Sequence, residues 1–195
     1  MMRIGILGDI GSGKSFVAKK FGYPVFNADH EVLKLYKRDR KVFKKLKETL
    51  PKYISSFPIN KTQLSKAILA NNINLKKIIK IVHKEIRNKM KIFLIKNKNK
   101  KFIILDIPLL LENKINKKDD ILIYVDSKKS DILKKLKQRP NFNPKLIKNF
   151  KKLQLPLDYK RQKSSFVIKN RFTKKSVNDG VKDILNKINY ERYNS

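Results

Sequence analysis

The chain has 195 residues, 41% of them apolar, which suits a single compact domain. Cysteine is absent, and this excludes disulfides, thiolate metal sites and a cysteine nucleophile. No apolar run approaches the roughly 20 residues of a membrane span, and the glycine-rich amino terminus is unlike a signal peptide. We therefore expect a soluble, cytoplasmic protein that does not associate with membranes.

The charge is strongly basic, with 49 Lys and Arg against 16 Asp and Glu, a formal net charge of +33. Such a surface would attract any polyanion, including nucleic acid. The lysines, however, are spread over every predicted helix and accompany frequent Asn and Ile, a set encoded by adenine- and thymine-rich codons. Compositional drift accounts for this pattern better than a selected role, so we expect no specific nucleic-acid partner.

Continuous apolar runs predict strands that are buried on both faces of a parallel sheet. They cover residues 4–7, 23–26, 102–105, 121–125 and 166–168. Helical spacing of apolar residues occurs between and after these runs, over residues 15–21, 75–93, 130–137 and 177–188. Strands alternating with helices predict an α/β fold in three layers, with a five-stranded parallel sheet between helices.

Two stretches lie outside this alternating pattern. Residues from about 31 to 100 contain no convincing strand, which predicts a helical insert that binds a substrate. The sequence RPNFNP at residues 139–144 separates two lysine-rich helices and predicts a hinged lid over about 138–154. We find no repeat and no second domain boundary, so residues 1–195 are interpreted as one domain with an insert and a lid.

The sequence GDIGSGKS at residues 8–15 matches the phosphate-loop pattern GxxxxGK[ST] at every specified position, after a strand and before a helix. Glycines let backbone amides approach phosphate oxygens, and the helix adds its positive end. Lys14 would bridge the β- and γ-phosphates of a nucleotide, and Ser15 would bind Mg²⁺. The predicted nucleotide-binding residues are Gly8, Asp9, Ile10, Gly11, Ser12, Gly13, Lys14, Ser15 and Phe16. The alternative, a chance glycine-rich turn, requires an improbable match, and the motif alone does not distinguish a hydrolase, a kinase and a switch.

Acidic residues follow two of the other predicted strands. Asp29 could accept the proton of an attacking hydroxyl, or it could cap the helix that follows. Asp106 ends an apolar strand, a position that usually holds Mg²⁺ beside a phosphate loop, although a structural turn is the alternative. We expect Glu112, six residues later, to form a structural ion pair rather than to act in catalysis.

The order of motifs resembles the dephospho-CoA kinase family over residues 3–170. The motifs are GDIGSGKS, NAD at 27–29, a helical segment with His83, LDIPLLLE at 105–112, a lid with Arg139 and Gln154, and FVIKN at 166–170. The string DIPLLxE discriminates best, because many enzymes share the phosphate loop. The resemblance implies a nucleotide core, a helical acceptor-binding domain and a lid. It also implies transfer of the γ-phosphoryl group of ATP to the 3′-hydroxyl of the dephospho-CoA ribose with Mg²⁺, the last step of coenzyme A biosynthesis.

The resemblance also implies roles for individual residues. Lys14 and Ser15 match the family's phosphate-loop lysine and Mg²⁺ ligand. Asp106 is the second expected metal ligand because of its position at the end of a strand beside the phosphate loop. Asp29 matches the general base, and Arg139 matches the lid arginine. Positioned cations stabilise the charge of the transferred group, so Lys14 and Arg139 are expected catalytic residues. Asp29 is the third, because a general base accepts the proton of the acceptor hydroxyl. The expected partners are ATP and dephospho-CoA, and the expected state is a monomer or weak homo-oligomer.

Seven positions depart from the family's pattern: Leu7, Asp9, Asn27, Lys61, Lys84, Phe150 and Ser165. Among them, Asp9 has the largest expected effect on phosphate binding. A carboxylate that faces the phosphates would repel them by about 1–4 kcal/mol at short range, unless it turns outward or lysines offset its charge. His83 is either a structural histidine or a contact to the acceptor, and His30 has no matching role. With two histidines and no cysteine, we do not expect zinc.

Two other function classes are the alternatives to this kinase family. Another small-molecule or nucleotide kinase with a phosphate loop would share the fold, but it should lack DIPLLxE. A nucleic-acid-associated protein on the same fold should carry clusters of aromatic residues and arginine. This chain has no Trp and few arginines among its cations.

Overall fold

The computed structural model describes residues 1–140 and 142–193, with side chains described up to residue 190. Asn141, which belongs to the predicted lid, lies outside the described residues. The strands are β1 (Met2–Gly8), β2 (Val25–Asn27), β3 (Phe102–Asp106), β4 (Ile121–Asp126) and β5 (Phe166–Lys169). They form one five-stranded sheet in the order β2-β3-β1-β4-β5. The pairs β1–β3, β1–β4 and β4–β5 are parallel, and the predicted α/β fold class is confirmed.

The helices of the described residues belong to two compact units. They are α1 (Lys14–Lys20), α2 (Ala28–Arg38), α3 (Arg40–Thr49), α4 (Lys61–Ala70), α5 (Asn72–Lys96), α6 (Lys129–Lys137), α7 (Pro144–Lys151), α8 (Leu157–Gln162) and α9 (Lys174–Tyr193). The first unit covers Met1–Phe26, Asn97–Phe142 and Leu153–Ser195, and the second covers Asn27–Lys96 and Asn143–Lys152. No helix in the described part of the chain is long and apolar enough to cross a membrane.

The core of the first unit is built on the sheet. Ile4 and Ile6 of β1 and Ile104 of β3 are fully buried, as the continuous apolar runs predict for central parallel strands. They belong to one cluster with Val17 of α1 and Val181 of α9. Burial of each such side chain stabilises the fold by about 1.5–3 kcal/mol relative to exposure. This packing fixes the strands, and with them the loops at their carboxyl ends.

The start of the second strand differs from the prediction. The apolar run suggested residues 23–26, but β2 begins at Val25. Pro24 has no backbone N–H to donate to a neighbouring strand, which explains the later start. Its carbonyl still accepts a hydrogen bond from the Ile104 amide at 2.9 Å, so the chain joins β3 one residue before the strand begins.

The second unit is helical, and α5 is its central element. Leu75, Ile78, Val82 and Ile86 are its buried residues, and their spacing follows the helical repeat that the sequence predicted. Helices α2, α3 and α4 pack against α5, and α7 packs against α4. The predicted boundaries of the insert and the lid, and their roles, remain predictions.

Glu112 forms a buried ion pair in the first unit, as the sequence analysis expected. Its Oε1 accepts a hydrogen bond from Lys160 Nζ at 2.6 Å and another from the Leu155 amide at 2.9 Å. The Glu112 and Lys160 side chains are 9% and 3% exposed. Glu112 therefore ties the segment that opens α8 to the turn that follows β3.

Replacing Lys160 with Met should lower the free energy of unfolding by about 3–5 kcal/mol, because it leaves the Glu112 carboxylate buried without its cation. Urea denaturation monitored by circular dichroism measures the loss. Replacing Glu112 with Met in the Lys160→Met background should recover most of the stability, because the buried charge is then removed.

The matched control is Lys187→Met, which removes an exposed pair with Asp183 on α9. That change should cost no more than about 0.5 kcal/mol. An equally small loss for Lys160→Met would show that the buried pair does not stabilise the fold.

Candidate active site

The loop of residues 8–15 connects the central strand β1 to α1. Gly13 is the residue before α1, with a left-handed φ of 86°, and its carbonyl accepts hydrogen bonds from the Phe16 and Val17 amides, each at 3.0 Å. A Cβ on Gly13 would collide with the Asn170 side-chain amide. Glycine is therefore required here both by backbone conformation and by space.

Lys14 is the first residue of α1, and its side chain folds back over the loop. The Nζ atom donates hydrogen bonds to the Asp9 carbonyl at 2.7 Å and to the Gly8 carbonyl at 3.3 Å. The ammonium group is thus held among the carbonyl oxygens of the loop. This places a fixed positive charge within the segment predicted to surround phosphates.

Asp9 is 7% exposed and turns its carboxylate into the loop. Its Oδ1 accepts a hydrogen bond from the Ile10 amide at 2.6 Å, and its carbonyl accepts one from the Ser12 amide at 3.2 Å. Burial, followed by the charges of Asp126 and Asp9, raises the pKa of the Tyr124 hydroxyl, so the carboxylate also acts toward β4. Because the Ile10 amide already donates to Asp9, we expect phosphate binding to rely on amides farther along the loop.

Two residues that sequence reasoning left without a role fix the Ser12 carbonyl. Asn170, 3% exposed and directly after β5, donates through Nδ2 to this oxygen at 2.9 Å, and Ser127 Oγ donates to it at 3.0 Å. Asn170 is itself held, because its Oδ1 accepts from the Phe172 backbone N–H at 2.8 Å and its own backbone N–H donates to the Asp126 carbonyl at 2.7 Å.

The fixed Ser12 carbonyl also sets the direction of the Gly13 N–H group. In a planar trans peptide the C=O and N–H groups point in opposite directions. Two donors hold the Ser12 carbonyl toward the ends of β4 and β5, so the Gly13 N–H points the other way. Asn170 and Ser127 are therefore positioning residues for an amide of the phosphate loop.

Helix α6 packs against the loop and leads to Arg139. A Cβ on Gly11 would lie 2.9 Å from Leu136 Cγ and 3.1 Å from Ile132 Cγ2, so the helix approaches the loop closely. The Arg139 amide donates to the Leu136 carbonyl at 3.1 Å, and the Arg139 residue is exposed. The predicted lid arginine thus lies within the first unit, one turn beyond the residue that contacts the loop.

Two of the predicted ligands suit a hard divalent cation. Asp106 is the last residue of β3 and is 2% exposed, and β3 pairs with β1 so that Leu105 lies opposite Gly5. Ser15 is in the first turn of α1. Carboxylate and hydroxyl oxygens are ligands that Mg²⁺ accepts. No group of three or more His, Asp or Glu among the described residues could hold a metal, so such an ion would take other ligands from phosphate and water.

Asp29 belongs to the second unit, in the first turn of α2. The alternative that it caps this helix is wrong. The cap is Asn27, whose Oδ1 accepts a hydrogen bond from the His30 amide at 2.7 Å. Asp29 is exposed, and its negative charge suits the amino-terminal end of a helix. Its assignment as general base remains a prediction.

His83 lies on α5 and is half-buried. Burial and the charge of Arg87, one turn later, lower its pKa from the usual 6.5. The imidazole is therefore neutral at pH 7. A neutral histidine is compatible with both predicted roles, the structural one and the contact to an acceptor.

A family model described as dephospho-CoA kinase matches residues 2–175. A dephospho-CoA kinase from Wolbachia sp. subsp. Brugia malayi is 35% identical over 192 residues, covering 96% of this chain and 98% of the relative. The relative of the same name from Wolbachia pipientis wMel is 34% identical over 193 residues, again with 96% and 98% covered.

Solved structures with the same fold include TT1252 from Thermus thermophilus, with a TM-score of 0.76 at 23% identity over 95% of this chain and 97% of that one. A dephospho-CoA kinase from Campylobacter jejuni has a TM-score of 0.61 at 20% identity, with 95% and 96% covered. These two likenesses establish the fold alone.

Asn170→Ala should weaken the binding of ATP about 3- to 10-fold, because one of the two hydrogen bonds that orient the Ser12 carbonyl is lost. Isothermal titration calorimetry with ATP and Mg²⁺ measures the dissociation constant. Ser127→Ala should act in the same direction, and the double variant should show a non-additive loss because both donors serve one oxygen.

The control is Asn186→Ala, which removes the same side chain from the exposed surface of α9. It should leave the dissociation constant unchanged. If Asn170→Ala and Ser127→Ala both bind ATP as tightly as this control does, the proposed positioning of the loop is wrong.

Proposed function

The chain belongs to the dephospho-CoA kinase family, and from this premise we propose that it transfers the γ-phosphoryl group of ATP to the 3′-hydroxyl of the ribose of dephospho-CoA. One observation carries the proposal within the structure itself. The phosphate loop follows the carboxyl end of the central strand β1. The buried Asp106 ends the neighbouring strand β3 at the same edge of the sheet. Ligands of open parallel sheets bind at this edge.

The residues of the first unit would hold the triphosphate. Loop amides and the Lys14 ammonium bind its phosphate oxygens, and Arg139 adds positive charge as the transferred group spreads its charge over three oxygens. Ser15 and Asp106 would hold Mg²⁺, which neutralises phosphate charge when bound. These groups act by position and charge, so the loop must be fixed before the substrate arrives.

Asp29 would act on the acceptor. The 3′-oxygen forms a bond to the γ-phosphorus while the bond from that phosphorus to the β–γ bridging oxygen breaks, and ADP leaves. The hydroxyl proton passes to the Asp29 carboxylate, which must be ionised to receive it. We further propose that the insert at about 31–100 binds the acceptor, and that residues of about 138–154 form a lid that excludes water.

The direct test is to incubate the protein with ATP, Mg²⁺ and a panel of acceptors that includes nucleosides, nucleoside monophosphates and dephospho-CoA. We expect ADP to form with dephospho-CoA, and mass spectrometry should place the new phosphate on the 3′-oxygen. Lys14→Ala should lower turnover by about 100-fold or more, because a positioned cation is lost from the transferred phosphate. The control Lys19→Ala, at an exposed position of α1, should retain activity. Preferred phosphorylation of a nucleoside monophosphate would favour a nucleotide kinase instead.

Asp29→Asn should lower kcat by about 100-fold while leaving the KM for ATP unchanged, because the amide cannot accept the hydroxyl proton. Steady-state kinetics with saturating dephospho-CoA separates the two constants. Glu31→Gln is the matched control, because it removes another carboxylate from the first turn of α2. Unchanged turnover in Asp29→Asn would exclude this residue as the general base.

A further inference from the structure

The carboxyl-terminal end of α5 exposes apolar side chains that its neighbours do not cover. The sequence KIFLIK occupies residues 91–96, at the end of this helix. Successive residues of an α-helix are turned by about 100°, so four consecutive apolar residues cannot all face the core. Phe93 and Leu94 are half-buried, whereas Ile92 is 52% and Ile95 is 69% exposed.

The two exposed isoleucines lie away from the buried side of α5. Ile95 is nine residues beyond the buried Ile86, about two and a half turns, so these two residues lie on opposite sides of the helix. Lys91 is exposed one turn before Ile95, and Lys96 is exposed directly after it. We call the surface formed by Lys91, Ile92, Ile95 and Lys96 the α5 face.

Positive charge continues along the chain beyond the α5 face. There is no acidic residue between Glu85 and Asp106, and residues 87–101 contain seven Lys and Arg. Only Lys89 among them lies near a carboxylate in a described ion pair, 3.7 Å from Glu31. The exposed lysines of the turn that follows α5 are Lys98, Lys100 and Lys101. A segment with this charge attracts an anionic surface.

The turn after α5 is fixed at the amino edge of the sheet. The Lys100 N–H donates to the Asn97 carbonyl at 3.0 Å, and the Lys101 carbonyl accepts from the Met2 N–H at 2.9 Å. Strand β3 begins at Phe102 and ends about 13 Å farther on, at the edge that carries the phosphate loop. A partner bound to the turn would therefore leave the phosphate loop of the first unit uncovered.

An anionic membrane surface fits this combination better than two other partners. Aliphatic side chains are stabilised when they leave water for the acyl boundary of a bilayer, and neighbouring lysines keep their charges at the headgroup level. Nucleic acid would attract the same lysines, but single strands stack on aromatic rings, and the exposed apolar residues here are aliphatic. A second copy of the chain would bring another net charge of +33 to the contact, which opposes association.

We propose that the α5 face and the turn after it bind the surface of membranes that contain anionic lipids. Ile92 and Ile95 enter the boundary between headgroups and acyl chains, and the lysines contact lipid phosphates. The expectation of no membrane association rests on the length of the apolar runs, and peripheral binding needs no segment that spans the bilayer. This inference does not depend on the proposed kinase activity, because binding is measured without substrates.

The chain contains no tryptophan, so a single introduced indole reports on one position. Ile95→Trp should fluoresce at shorter wavelength when vesicles of phosphatidylcholine with about 30% phosphatidylglycerol are added, because the indole leaves water. Bromine-labelled acyl chains in the same vesicles should quench this emission. Ile73→Trp, at an exposed position in the first turn of the same helix, is the control and should show neither change.

A second experiment separates the apolar contact from the charge. Ile92→Gln together with Ile95→Gln should lower the partition coefficient for these vesicles about 10-fold, because two side chains no longer enter the bilayer while the charge is unchanged. Lys96→Gln, Lys98→Gln and Lys100→Gln together should lower it about 5-fold for each lysine. Co-sedimentation of the full chain with vesicles measures the coefficient, and circular dichroism verifies that each variant is folded.

The control with the same loss of charge replaces three exposed lysines of α9 with glutamine: Lys174, Lys175 and Lys182. It should lower partitioning far less. Equal losses in the two lysine variants, or equal shifts for Ile73→Trp and Ile95→Trp, would indicate adsorption through net charge alone and overturn the proposal. A shift of the Ile95→Trp emission with DNA or RNA but not with vesicles would assign the α5 face to nucleic acid. Dimerisation that Ile95→Gln abolishes would assign it to a second copy, and either result would also overturn the proposal.

Discussion

The arrangement of the candidate active site depends on the two hydrogen bonds that hold the Ser12 carbonyl oxygen. Ser12 follows β1, Ser127 follows β4 and Asn170 follows β5, and the three strands are neighbours in the sheet. The two hydrogen bonds form only if the strands end at the same level, and this depends on the register of the parallel sheet. The buried apolar runs fix that register. Core packing therefore determines the direction of an amide that is proposed to bind phosphate.

The buried acidic side chains of this very basic chain also depend on the groups around them. Glu112 is paired with Lys160, and Asp120 receives a hydrogen bond from Arg3 at 2.8 Å. Burial raises the pKa of Asp120, while the Lys117 amide and Arg3 oppose that shift. A buried charge without a partner costs several kcal/mol. The positions of these buried pairs are therefore constrained by the fold, whereas an exposed lysine can be gained or lost at little cost in stability.

The spacing of apolar residues predicted the strands and helices that bury a regular apolar pattern. Long apolar runs became strands, and the repeat over residues 75–93 lies within α5. Local choices between similar residues were harder. Asn27 and Asp29 are both good helix caps, and the sequence alone could not show that Asn27 takes the role. The contacts of Ser12 with Ser127 and Asn170 span 115 and 158 residues of chain, so no local pattern contains them. The available signal was that Asn170 is a polar residue directly after a predicted strand.

The division of the chain into two units matches the two kinds of selectivity that the proposed function requires. The phosphate loop is proposed to bind features that every nucleoside triphosphate shares, and its motif alone therefore could not distinguish one kinase from another. Acceptor choice requires groups that differ between substrates, and the insert, which includes most of α2, is proposed to supply them. Because Asn27 caps this helix, Asp29 is not required for that role. The proposed base is thus carried by a helix rather than by a flexible loop. A base on such a helix would keep its carboxylate in one place relative to an acceptor bound to the same unit, which is the precision that the proposed proton transfer requires.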